Sequence, residues 1–150
     1  MIDLAAPHRQ YCTFRLGQYH CGIDVLAVHE ILHHQPMTRV PLAPPVVKGL
    51  INLRGQIITA LDMRVRLGFP ARADGKPSVN IVVGYASGSE EATAALLVDE
   101  IGDVVEIDPA SCETPPDTVR GAIRVLILAV SKREQGLLLI LDPAKAMTIE

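Results

Sequence analysis

Two runs of alternating apolar and polar residues, 11–16 and 19–25, flank the dipeptide Gly17-Gln18. A period of two marks a strand with one buried face, and two such runs around a glycine-bearing pair spell a β-hairpin. Setting Leu16 opposite Tyr19 puts Phe14 opposite Cys21 and Cys12 opposite Ile23. That register gathers the apolar side chains on one face and leaves Thr13, Arg15, His20 and Gly22 on the other. Cys12 and Cys21 then read as core thiols, not as a redox pair.

Prolines constrain the next segment. Pro36, Pro41, Pro44 and Pro45 fall within ten residues and exclude a long helix there. Beyond them, 49–54 and 57–62 form a second strand pair around Gly55-Gln56, and 64–68 reads as a coil or helical turn. Residues 70–77 read as a linker, since Pro70, Asp74-Gly75 and Pro77 sit in a stretch without apolar periodicity. Further strands are expected at 79–84, 94–98, 103–107, 122–130 and 137–141, with a polar turn at 87–91 between the first two. Only the tail, from Asp142-Pro143, reads as a helix start, with Asp as cap and Pro in the first turn.

The halves echo each other. Val28-His-Glu-Ile31 returns as Val98-Asp-Glu-Ile101 or Val105-Glu-Ile107, Pro44-Pro45 before Lys48-Gly49 returns as Pro115-Pro116 before Arg120-Gly121, and Ala60-Leu61-Asp62 returns as Ile140-Leu141-Asp142. A spacing of about 70 to 80 residues is too long for a solenoid and suits two copies of a small five-stranded β unit. The chain therefore reads as all-β, with two lobes packed by their apolar faces. With 49% hydrophobic residues but only two Phe, three Tyr and no Trp, the core must be built from aliphatic side chains.

Charge and composition exclude several functions. A net charge of -3 and a pI near 5.9 offer no general attraction to phosphate backbones, so no nucleic-acid partner is expected. The first ten residues lack a basic start and an apolar run, and the aliphatic stretch 125–130 is far short of the ~20 residues that span a bilayer. A cytoplasmic protein without membrane insertion is expected, and three cysteines without a CxxC motif suit a reducing compartment.

One motif points to catalysis. His29-Glu30-Ile31-Leu32-His33 has the HExxH spacing, in which histidines one helical turn apart hold zinc while the glutamate activates water. That chemistry needs a helix through both histidines, yet a strand-like Gly22-Ile-Asp-Val25 run precedes the motif and Pro36 follows His33 within one turn. The segment therefore reads as a rim strand, with His29, His33 and His34 as an incidental nickel or zinc cluster and a zinc-dependent hydrolase as the alternative. No GxSxG, GxxxxGK[ST] or strand-borne GxGxxG is present. The carboxylates at Glu90-Glu91, Asp99-Glu100, Asp103 and Glu106 read as solvated turn charges, not an acid–base pair.

Phe14-Arg-Leu-Gly17, Gly22-Ile-Asp24, Val28-x-Glu30-Ile31, Thr38-Arg39-x-Pro41, Ala43-Pro-Pro45, Lys48-Gly49, Ile51-Asn-Leu-Arg-Gly55 and Leu61-Asp62-x-Arg64 resemble the CheW family in order and spacing. Asn-Leu-Arg-Gly is the most specific of these, and weaker matches continue to Asp142. The resemblance implies one CheW-like domain over 1–150, built of two SH3-like five-stranded β-barrel lobes at about 9–69 and 78–143 with a short C-terminal helical segment. It implies no catalytic activity, cofactor or metal, and an adaptor role coupling chemoreceptors to a CheA-type histidine kinase in chemotaxis. The implied partners are the cytoplasmic tip of methyl-accepting chemoreceptors, the kinase's regulatory domain and other CheW-like domains in rings, at receptor arrays on the inner face of the membrane. Residue by residue, Val28, Glu30 and Arg54 match receptor-binding positions, and Ile31 and Lys48 match kinase-binding positions. In the run 50–54, Asn52 and Arg54 are expected to point outward, the guanidinium poised for a carboxylate on a receptor helix. Cys21 in place of an aromatic, the histidines at 29, 33 and 34, and Gly136 depart from the family pattern.

Overall fold

The computed structural model describes residues 9–70, 78–87 and 89–149. Ten strands carry the fold: β1 (Arg9–Leu16), β2 (Tyr19–Asp24), β3 (Val28–His33), β4 (Val47–Leu53), β5 (Gln56–Asp62), β6 (Val79–Ser87), β7 (Glu90–Val98), β8 (Glu100–Ile107), β9 (Ile127–Arg133) and β10 (Gly136–Leu141). Three short helices adjoin them: α1 (Met63–Arg66), α2 (Ala122–Leu126) and α3 (Pro143–Ala146). No helix among the described residues is long and apolar enough to cross a membrane. Apart from Pro70, the linker read at 70–77 lies outside the described residues, as do 1–8 and the turn residue Gly88.

The strands form two five-stranded sheets, in the order β8-β1-β2-β10-β9 and β3-β6-β7-β5-β4. The expected all-β, two-lobed architecture is observed. The β1–β2 register is the one read from the alternation, with Cys12 opposite Ile23, Phe14 opposite Cys21 and Leu16 opposite Tyr19. The second face of this hairpin carries the residues expected there but is itself partly covered: Arg15 is exposed, whereas Gly22 is buried against Leu138. Thr13 is buried, donating its hydroxyl to the Asp103 carbonyl, and Tyr11 joins Ile107, Leu138 and Ile140 in an apolar cluster on that face.

The segment 122–130 is not one strand. Gly121, with φ of 84°, turns the chain into α2, where Ile123 and Leu126 are buried at a helical spacing of three and Val125 stays exposed. Arg124 secures the approach by donating to the carbonyls of Pro115, Pro116 and Val119. A tail helix is present as expected, and α1 falls on the coil or helical turn read at 64–68, but α2 adds a helical turn that a β reading does not show.

Shifting every strand number by five converts one sheet into the other, so the internal repeat is real at the level of topology. It extends to single hydrogen bonds. Asp62 and Asp142 each accept from the backbone two residues on, at 3.0 Å, and their own N–H groups reach Val46 and Leu126 at 2.7 and 2.8 Å. Thr38 pairs with Leu50 of β4 as Glu113 pairs with Val130 of β9.

The sheets do not keep to the lobe spans expected from the sequence. The β1–β2 hairpin of the first half lies between β8 and β10 of the second, and β6–β7 lies between β3 and β5 of the first. Parallel pairing makes each exchange, β2 with β10 at Cys21–Leu139 and β5 with β7 at Leu61–Leu96. Such pairs join strands far apart in sequence, which local alternation does not reveal. Between the sheets lies the main core, where Phe14, Leu16 and Ile23 of one meet Leu61, Ile81 and Leu96 of the other.

Candidate functional site

Asp24 ends β2, pairs with Arg9 at 3.0 Å and accepts from Leu26 N–H, capping the 3-10 turn Val25–Ala27 that carries the chain into β3. β3 is an outer strand of its sheet, and a bulge interrupts its pairing with β6: Val28 opposes Val83 and Glu30 opposes Val82, with His29 as the extra residue. Val28 accordingly packs against the core between the sheets. Glu30, one pair further, turns to the rim.

There it meets Arg54. The turn joining β4 to β5 holds Leu53 opposite Gln56, with Arg54 and Gly55 at positive φ of 53° and 84°. Two positive values make a type I′ turn, whose twist matches that of the flanking strands. Glycine adopts this conformation freely, whereas arginine is strained in it. Asn52 braces the turn by accepting from Gly55 N–H at 2.9 Å, and Leu53 packs in the cluster of Ile51, Ile58 and Val82. Every residue of Asn52-Leu-Arg-Gly55 therefore has a local task.

The Arg54 guanidinium donates two hydrogen bonds of 2.7 Å, one to each carboxylate oxygen of Glu30. Arg54 is thus exposed, as expected, but its fork is not poised for an external carboxylate: it is occupied by one from the same chain. These bonds hold the Glu30 carboxyl below its usual range and raise the guanidinium further. Since β3 and β4 are the two outer strands of their sheet, the pair ties its opposite edges, helped by the Thr38–Leu50 bridge.

Of the other singled-out residues, Ile31 is 41% exposed on β3, opposite Ile81. Lys48 is the extra residue of a second bulge, between Val47 and Gly49 of β4, which throws it into solvent. The structure brings Glu30 and Arg54 together, sets Val28 toward the core, and leaves Ile31 and Lys48 on separate outer strands.

The zinc-hydrolase reading fails on geometry. His29 and His33 lie on a strand, where four residues span roughly 13 Å instead of the roughly 6 Å between histidines one helical turn apart that the motif's chemistry requires. No group of three His, Cys, Asp or Glu side chains that could hold a metal ion occurs among the described residues.

Sequence reasoning missed a polar hub between the sheets. Asp99, read as a solvated turn charge, is only 22% exposed in its side chain and accepts from Arg64 at 2.8 Å and from Gly17 N–H at 2.7 Å. Its N–H donates to the Arg15 carbonyl, while Arg64 also donates to Pro70 O and lies over the Phe69 ring, 5.5 Å from its centre. The position of Arg64 in Leu61-Asp62-x-Arg64 was the one available signal. A cavity of about 630 Å³ was also invisible in the sequence; Tyr11, Leu26, Pro109, Cys112, Leu128 and Ile140 line it, drawn from distant segments.

Residues 10–150 match the family described as the CheW-like domain. The chemotaxis protein CheW of Rhizobium meliloti (strain 1021) is 33% identical over 109 residues, covering 73% of this chain and 68% of that protein. CheW of Bacillus subtilis (strain 168) is 32% identical over 130 residues, covering 87% and 81%. The crystal structure of the scaffolding protein TtCheW from Thermoanaerobacter tengcongensis superposes with a TM-score of 0.77 at 29% identity, covering 91% of this chain and 90% of that one.

Proposed function

The chain belongs to the CheW-like family, and from that membership we propose that it is a non-catalytic chemotaxis adaptor coupling chemoreceptors to a CheA-type histidine kinase. The observation that carries this reading is the likeness to a scaffolding protein along nine-tenths of both chains. An adaptor needs surfaces, not a reaction centre, and two charged pairs of this chain serve structure. Glu30 and Arg54 tie two sheet edges, and Asp99 and Arg64 tie two sheets.

The receptor contact is assigned to the rim that Glu30 and Arg54 build, with Val28 supporting β3 from the core side. The kinase contact is assigned to Ile31 and Lys48, on the two outer strands of the same sheet. Because the Arg54 fork is engaged by Glu30, a receptor helix meets a preformed carboxylate–guanidinium plate and hydrogen-bonds to its outer edges, without first having to order a free arginine. The place of action is cytoplasmic, at receptor arrays, where kinase regulatory domains and further CheW-like domains extend the assembly.

The test is reconstitution. The purified chain, a receptor fragment and the CheA-type kinase of the same cell should form a ternary complex in which receptor control over kinase autophosphorylation increases. Autophosphorylation indifferent to saturating amounts of the chain would overturn the adaptor reading.

A further inference from the structure

Leu42 carries two costs that the fold does not require. It occupies the third position of a turn from Val40 to Ala43, closed by Ala43 N–H to Val40 O, with Pro41 at the second position and a φ of 64° at Leu42. A turn of this kind favours glycine or asparagine there, because a Cβ with further branching crowds the neighbouring carbonyl. The side chain is also entirely exposed, at 105%. No packing repays the strained backbone, and no turn rule asks for leucine.

The stretch of chain around it is short of negative charge. Residues 31–61 contain Arg39, Lys48 and Arg54 but neither Asp nor Glu, in a chain whose acidic residues outnumber Lys and Arg by 17 to 14. With Arg54 engaged by Glu30, the exposed Arg39 and Lys48 are the cations that flank the loop in sequence. The loop is also ordered in advance. Thr38 and Leu50 exchange backbone hydrogen bonds of 2.9 and 2.8 Å at its base, Val47 N–H reaches Pro44 O at 2.9 Å, and Pro41, Pro44 and Pro45 stiffen the stretch between. A preordered tip loses little conformational freedom on binding.

We propose that Leu42 is the apolar anchor of the kinase-facing surface, entering a socket bordered by carboxylates on the kinase's regulatory domain. This rests on the adaptor reading above and extends the surface assigned to Ile31 and Lys48. An anchor side chain fixed in a rigid, cation-flanked turn is the arrangement of an interface hot spot, with the charges steering approach and the apolar group holding the complex.

The test compares the parent chain with Leu42→Asn by calorimetric titration against the regulatory domain of the CheA-type kinase, alongside thermal melting and self-association by ultracentrifugation. Asparagine tolerates the positive φ, so the variant should melt at or up to about 2 °C above the parent. Its affinity for the kinase domain should fall more than tenfold while affinity for a receptor fragment is unchanged. A parent chain that fails to bind the kinase domain overturns the adaptor reading and this inference with it. A parent that binds, with Leu42→Asn binding equally well, overturns the inference alone. A melting temperature that falls along with affinity overturns it too, since Leu42 would then support the loop. Lost self-association with intact kinase affinity would move the anchor to a contact between copies and overturn the kinase assignment.

Discussion

Arg54 holds a left-handed backbone and a bidentate partner at once, and the two are linked: the turn that strains it also aims its guanidinium across the sheet at Glu30. Arg54→Glu replaces attraction by repulsion at that rim. Because Arg54 is exposed and Glu30 is only half-buried at the rim, the variant should stay folded, its melting temperature within about 2 °C of the parent. Receptor binding should nevertheless fall more than tenfold, and the double swap Glu30→Arg with Arg54→Glu should rebuild the clip and recover part of it. Full receptor affinity in a folded Arg54→Glu chain would remove the pair from the interface. Cys21 offers a test in the core. Burial pushes its thiol up to about 12, whereas the unfolded chain releases that proton near ~8.5. Its contribution to stability is complete below the lower value and is lost as pH rises toward the upper one, so the urea midpoint should decline steadily above about pH 9. Cys21→Ala should flatten that decline. In the native state at pH 8, Cys21 and Cys12 should both resist a thiol reagent that labels them at once after unfolding.

At the scale of elements, Asp62 and Asp142 end equivalent strands and cap the helices after them. Replacing either with Ala removes one cap and should cost about 1 kcal/mol, read from denaturant unfolding. An unchanged midpoint for both would show that these four-residue helices are held by packing alone. Asp142 was legible as a cap because Pro143 comes next, whereas Asp62 precedes Met-Arg-Val-Arg, which leads into a stretch readable only as a coil or helical turn. Strands such as β1, β2 and β5 were readable because one face of each is apolar at every second residue. The bulges at His29 and Lys48 were not, since an extra residue leaves no mark on composition and shows only against the strand it pairs with. The same limit hid the site. Glu30 and Arg54 each appeared as a matching position, but their mutual contact depends on the sheet bringing β3 and β4 together, and an alternation rule treats the two runs as independent. α2 was misread because its aliphatic residues run directly into β9 with no breaker between Leu126 and Ile127, and the one turn signal, the positive φ at Gly121, stands ahead of α2.

For the whole molecule, the exchange of hairpins predicts how the chain behaves when cut. Residues 9–69 contain β1 to β5, but β1 and β2 find their neighbours β8 and β10 only in the second half. This fragment should remain largely unfolded alone by circular dichroism, and so should 78–149, while the two expressed together should assemble into the native fold. Independent folding of 9–69 would mean that its strands can re-pair within one half. The exchange also decides how the protein carries load. Two lobes strung on a single connecting strand behave as a hinge, and a push on one is absorbed at the joint. Here each lobe grips a hairpin belonging to the other, so turning them apart would have to tear paired strands. A tug applied at the Glu30–Arg54 rim is consequently delivered to the far lobe without slack, as through a clasped pair of hands.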